Sequence, residues 1–160
     1  MKKGKGSSSR DWHTASELPE AVFEAMRKPE HAMSPIAVVA TVNADGSPHT
    51  APFASLRAVT PKMLRMICFR YHHTFTNLVR DERLMVSFLA PPDIAVSIKG
   101  HALLTVPHME ADKNYAIFEI QVDEVKNDMV KTVVIDSPLT ASPRYEYEEW
   151  FDTALRELER

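Results

Sequence analysis

Apolar residues along the chain change period twice. Leu18, Val22, Phe23 and Met26 recur at helical spacing and share one face. Ser16 is the expected N-cap, Pro19 falls in the first turn, Glu17 and Glu20 sit near the positive end of the helix dipole, and Pro29 ends the pattern. From residue 36 the period becomes that of strands. Residues 36–42 are β-rich and lead into Asn43-Ala-Asp-Gly46, a turn signal with a glycine free to take positive φ. Residues 47–59 read as a second strand, in which Pro48 and Pro52 lack the N–H needed for a central ladder and belong at an edge or bulge. Residues 63–70 read as a third, so the first three strands predict an antiparallel meander.

Residues 74–81 fit two helical turns, and residues 84–89 a fourth strand closed by Pro91 and Pro92. Residues 94–106 are long enough for a fifth strand bent at Gly100. Residues 115–125 predict a sixth with Ala116, Phe118, Ile120 and Val122 on one face and Glu119, Gln121 and Asp123 on the other; residues 129–135 suggest one more short strand. Helical period returns with Tyr147, Trp150, Phe151, Ala154, Leu155 and Leu158, starting near Ser142 or Pro143 and supported by an Asp152–Arg156 pair. Six or seven strands with peripheral helices predict a mainly β fold, an antiparallel barrel whose closure removes exposed edges.

At 160 residues, 44% hydrophobic and 26% charged, the chain has the balance of one globular domain, expected over residues 13–160 behind a basic Gly/Ser/Lys tail at 1–12. No apolar run approaches the ~20 residues of a membrane span, and the basic N-terminus lacks the apolar stretch of a secretory signal, so a cytoplasmic protein is expected. One cysteine, Cys68, excludes an internal disulfide and a multi-cysteine zinc site; flanked by apolar residues, it reads as a small buried hydrophobe. Net charge is −3, and −7 once the four bases of the first ten residues are set aside, which argues against nucleic acid as a partner. Within this acidic body, residues 57–83 hold Arg57, Lys62, Arg65, Arg70, Arg80 and Arg83 against Asp81 and Glu82, with His49, His72, His73 and His101 in or beside the same region. Two readings stay open: a solvated basic face, or a local field for a small anion.

No glycine-rich phosphate loop, Gly-x-Ser-x-Gly elbow or His-Glu-x-x-His motif occurs. His72 and His73 are adjacent, so on a strand their rings would point to opposite faces and could not chelate together. They lie where a strand ends and a short helix begins. Thr74 is the natural N-cap there; with Arg70 and the two imidazoles, that helix start could receive a phosphate monoester, or Thr74 could serve as a cap alone.

The run from Val39 to Pro52 (Val-Ala-Thr-Val-Asn-Ala-Asp-Gly-Ser-Pro-His-Thr-Ala-Pro), followed by a strand and then by residues 77–88 (Asn-Leu-Val-Arg-Asp-Glu-Arg-Leu-Met-Val-Ser-Phe), resembles the pyridoxamine 5′-phosphate oxidase-like flavoproteins. The resemblance covers about residues 18–125. It implies a six-stranded split barrel, usually a homodimer with FMN at the subunit interface, and a small-molecule substrate. Position by position it implies that Thr50, Ala51 and Pro52 lie along the flavin ring, that Ile67 and Cys68 line the cofactor, and that His72, His73, Thr74 and Asn77, with Arg70 before them, hold the phosphate. The alternative for each strand residue is plain barrel packing.

The family's lysine three residues before Asn77 is Thr74 here, so a fixed positive charge is missing at its usual place. Arg70, Arg57 or the imidazoles would have to replace it. The chain also lacks the family's C-terminal substrate segment, so vitamin B6 oxidation is not expected. The resemblance thus implies an FMN-dependent oxidoreductase, with catalytic residues unassigned and no metal. The alternatives are a deazaflavin F420 reductase and a non-catalytic flavin or haem carrier, a haem iron needing only one imidazole.

Overall fold

The computed structural model describes residues 11–160, and most of the expected tail lies outside them. Trp12, the tail's last residue, packs against the core, and its carbonyl accepts from Asn127 Nδ2 at 3.0 Å. A two-residue strand, β1 (Thr14–Ala15), follows. Helix α1 (Glu20–Met26) starts later than expected: Pro19, not Ser16, occupies the cap position and no side chain caps it. The Leu18 N–H donates to the Pro61 carbonyl at 2.8 Å, which holds the approach extended and keeps Ser16 out of the helix.

Strand β2 (Ala37–Val42) forms a hairpin with β3 (Pro48–Phe53) through the predicted turn, where Gly46 has φ +86°. The expected second strand does not continue to residue 59. It breaks after Phe53 and resumes as β4 (Arg57–Thr60), which pairs with β5 (Met63–Phe69). After α2 (His73–Arg80) come β6 (Arg83–Ala90), β7 (Ile94–Val106) and β8 (Tyr115–Asn127). Residues 129–135 form no strand; that stretch is a loop tied down where the Ile135 N–H donates to the Pro92 carbonyl at 2.8 Å. A 3₁₀ turn at Tyr145–Tyr147 precedes α3 (Glu148–Leu158), a few residues beyond the expected start because Arg144 is still extended. The Asp152–Arg156 pair forms at 3.0 Å.

The sheet order is β3-β2-β6-β7-β8-β5-β4, with β1 added to β8, and every pairing is antiparallel. The expected three-strand meander is therefore two hairpins at opposite ends of the sheet. Residues 54–56 alone connect those ends, so the sheet must curl until its edges meet without pairing: a split barrel. Ser55 extends the β4–β5 pairing beyond Arg57, its Oγ accepting from the Ile67 N–H at 2.9 Å and donating to the Ile67 carbonyl at 3.3 Å. Pro48 and Pro52 lie on β3, an edge strand, as their missing N–H groups require. The count is eight strands rather than six, because β1 and the broken second strand each add one.

Gly100 marks a register shift in β7, where a Cβ would stand 2.6 Å from the Gln121 carbonyl oxygen. Inward residues of the strands, among them Leu64, Met66, Phe88, Ile98, Phe118 and Ile120, fill the interior with Val22 and Met26 of α1. Each such buried side chain contributes roughly 1.5–3 kcal/mol. On the outer face, α3 sets Ala154, Leu155 and Leu158 over Ile67, Met109 and Ile117 as a second core.

Candidate functional site at the start of the second helix

Alternation along β3 turns Pro48, Thr50 and Pro52 outward, while His49, Ala51 and Phe53 point the other way and are less exposed. Helix α2 packs against β2, β3 and β5. Asn77 secures it: its amide donates to Thr41 Oγ1 at 3.0 Å and to Asn43 Oδ1 at 2.9 Å, and its own Oδ1 accepts from Arg80 at 3.1 Å. Asn77 is buried and its polar atoms are used within the protein, so it positions the helix.

The first turn of α2 sits over the odd-numbered face of β3. His72, not Thr74, is the N-cap: its Nδ1 accepts from the Thr74 N–H at 3.1 Å. A bulky ring replaces the expected hydroxyl because His72 is still extended (φ −83°, ψ 148°), whereas Thr74 is already one residue inside the helix. The Thr74 side chain is fully buried, and its Oγ1 has no hydrogen-bond partner. Being at a helix start rather than on a strand, His72 and His73 do not diverge: their ring centroids stand 5.9 and 5.7 Å from that of His49, and Phe53 meets His72 edge-on at 6.1 Å. Burial first, then His49 and His73, hold the His72 imidazole below the ordinary histidine value. His49 Nε2 is buried without a partner.

His49 was not singled out in sequence as a site residue. The signal was present: it shares the inward face of β3 with Ala51 and Phe53, and the hairpin turns that face toward α2. Arg70 leaves the cluster, its guanidinium lying 4.8 Å over the Phe75 ring and donating to the Pro107 carbonyl. Arg57 cannot replace the missing lysine. It is buried, bonded to the Ser55, Lys28 and Ala32 carbonyls and paired with Glu159. The basic stretch is further neutralised where Arg65 meets Glu119 at 3.2 Å and Arg83 meets Asp81 at 2.7 Å.

The remaining expected residues divide. Thr50 and Pro52 present their side chains to solvent from the edge strand, and Ala51 is buried. Cys68 faces the barrel interior, where burial pushes its thiol up to about 12, and Ile67 lies under α3 with its backbone engaged by Ser55. The side chains of these two pack rather than line an open groove. An open cleft of about 730 Å³ at the far end of α2, bordered by Asn43, Leu78, Arg80 and Leu104, includes none of the expected site residues. Among the described residues no three His, Cys, Asp or Glu side chains converge as a metal would require, and no helix is long and apolar enough to cross a membrane.

The sequence profile of the family described as pyridoxamine 5′-phosphate oxidase matches residues 23–128. Comparison with curated proteins gives no significant match. Three solved structures illustrate the fold. A Lactobacillus delbrueckii protein named for pyridoxamine 5′-phosphate oxidase is 17% identical, with 71% of this chain and 98% of that chain covered and a TM-score of 0.53. An F420 reductase is 16% identical, with 69% and 100% covered and a TM-score of 0.56. An FMN-binding protein from Syntrophomonas wolfei is 14% identical, with 68% and 88% covered and a TM-score of 0.50. At these identities the likeness establishes a shared split-barrel fold.

Proposed function

We propose a flavin-binding function for this chain, which belongs to the pyridoxamine 5′-phosphate oxidase family. The preferred ligand in this reading is FMN, and the protein is a flavin reductase-like oxidoreductase acting on a small molecule. The observation that carries the reading is the first turn of α2, where a buried, unpartnered Thr74 hydroxyl, the helix start and three imidazoles come together. The hydroxyl and the imidazoles suit a phosphate monoester, and the helix dipole adds to them. His72, His73 and Thr74 would hold the phosphate. Thr50 and Pro52 would offer the exposed edge of β3 to the ring system. Bound flavin supplies hydride or electron transfer, and the protein supplies orientation and electrostatics.

In this reading the open side of the site is covered by a second copy of the chain. Thr50 and Pro52 stand exposed on β3, and Phe69, Tyr71 and Leu103 leave apolar area in water. F420 is the runner-up, since an F420 reductase shares the barrel. The visible spectrum of the protein purified from cells, followed by titration with FMN, F420 and haem, separates the cases. Flavin bands with saturable FMN binding are expected. A Soret band, or binding of F420 in preference to FMN, would overturn the assignment.

A further inference from the structure

The family's fixed cationic side chain is absent from the start of α2, and the nearest arginines are engaged elsewhere. What the structure places there is a set of groups whose charge is conditional. His72 spends its Nδ1 as the acceptor of the Thr74 N–H, so its proton resides on Nε2 and the ring is held as a neutral donor. His49, on the facing strand β3, has a buried Nε2 with no hydrogen-bond partner, an arrangement that leaves a polar atom unsatisfied. The Thr74 Oγ1, in the first turn of α2, is buried and equally unpartnered. Two orphaned polar atoms around one helix start are what a site looks like when its ligand completes it.

We propose that His49 makes anion binding at the start of α2 proton-coupled: a phosphate monoester enters together with a proton that settles on His49, and the resulting imidazolium supplies the positive charge that the missing lysine would have provided. This rests on the flavin reading above and names the residue that adapts the site. The ionisable groups facing His49 are the imidazoles of His72 and His73. Strand β2, its other neighbour, carries none; Arg80 of α2 is turned to the Val42 carbonyl and Asn77, and Arg70 to Pro107 and Phe75. A dianion bound beside an imidazole favours its charged form. His72 is held below its ordinary value by burial and by His49 and His73, which keeps it a neutral donor.

The test is calorimetric titration of FMN and of riboflavin between pH 6.5 and 8.5, where a phosphate monoester is mostly dianionic because its second pKa is about 6. Buffers of differing ionisation enthalpy count the protons exchanged. Wild type is expected to take up protons with FMN, and its affinity should fall with rising pH, approaching about tenfold per pH unit for one fully coupled proton. Riboflavin should show neither effect. His49→Gln should flatten the FMN profile, whereas His72→Asn, which keeps an N-cap acceptor, should retain the slope. A flat wild-type profile, an unchanged slope in His49→Gln, or the same slope for riboflavin would overturn the inference while leaving flavin binding intact. Absence of binding by both flavins would overturn the flavin reading and the inference together.

Discussion

Lys28 is only 3% exposed and its Nζ donates to the carbonyls of Met33 and Ala54, each at 3.0 Å. Burial, and the neighbouring Arg57 guanidinium, lower its pKa to about 7. The unfolded chain keeps Lys28 protonated up to its ordinary value of 10.5, so above pH 7 the unfolded state binds more protons than the folded one. Stability should therefore rise with pH from about 7, by at most about 1.4 kcal/mol per unit. The opposing effect of Cys68, whose thiol is held protonated in the fold, begins only near its ordinary value of 9.0. Urea unfolding at pH 7.0 and 8.5 is expected to show the gain in wild type and its loss in Lys28→Met. Equal pH dependence in both proteins would show that Lys28 is not the group responsible. Nothing in sequence marked Lys28, because its burial depends on how residues 27–33 fold back over the seam at 54–57. Asn77 was legible as a special position, but its task was not. Resemblance placed it with the phosphate, whereas its two donors are spent on Thr41 and Asn43. That use arises from the approach of α2 to β2, which local sequence does not encode.

At the scale of elements, the strands were legible wherever period and turn chemistry agreed. The β2–β3 turn, the edge placement of Pro48 and Pro52 and the long bent β7 follow from residue types alone. The break between β3 and β4 did not, since residues 53–57 keep an apolar, strand-compatible pattern while the chain changes partners. Gly100 is the position where an element depends on one residue. Its Cβ in Gly100→Ala would stand 2.6 Å from a backbone oxygen and 2.9 Å from Ile120 Cγ2, and the backbone cannot swing aside as a side chain would. A loss of about 1–3 kcal/mol is expected, read as a lower urea midpoint. An unchanged midpoint would mean that the β7–β8 ladder tolerates a wider register shift than its geometry indicates. Helix α2 illustrates the opposite case. Its existence was clear, yet its cap was misplaced by two residues, because Thr74 has the stronger capping propensity and tertiary contact with His49 and Phe53 selects His72.

For the whole molecule, the split barrel explains why no catalytic dyad shows in the sequence. The barrel interior holds its side chains for packing, and the exposed side chains of Thr50 and Pro52 on the edge of β3 lie outside it. A site built on an edge strand is half a site until something covers it. Light scattering at micromolar concentration is accordingly expected to give about twice the chain mass of 18.1 kDa, with FMN added or not. A monomeric mass would remove the second copy from the proposed site and place the ring system against solvent.

A flavin whose phosphate binds at the start of α2 should be held more tightly as FMN than as riboflavin, and equilibrium titration of the two at pH 7 reads that difference. Losing a charge-assisted contact to phosphate costs roughly 1.5–3 kcal/mol, so wild type should prefer FMN by about ten- to a hundredfold. Thr74→Lys, which restores a fixed cation where the family has one, should tighten FMN further and leave riboflavin unchanged. Equal affinity for FMN and riboflavin in wild type, with no gain in Thr74→Lys, would mean that no phosphate binds at the start of α2.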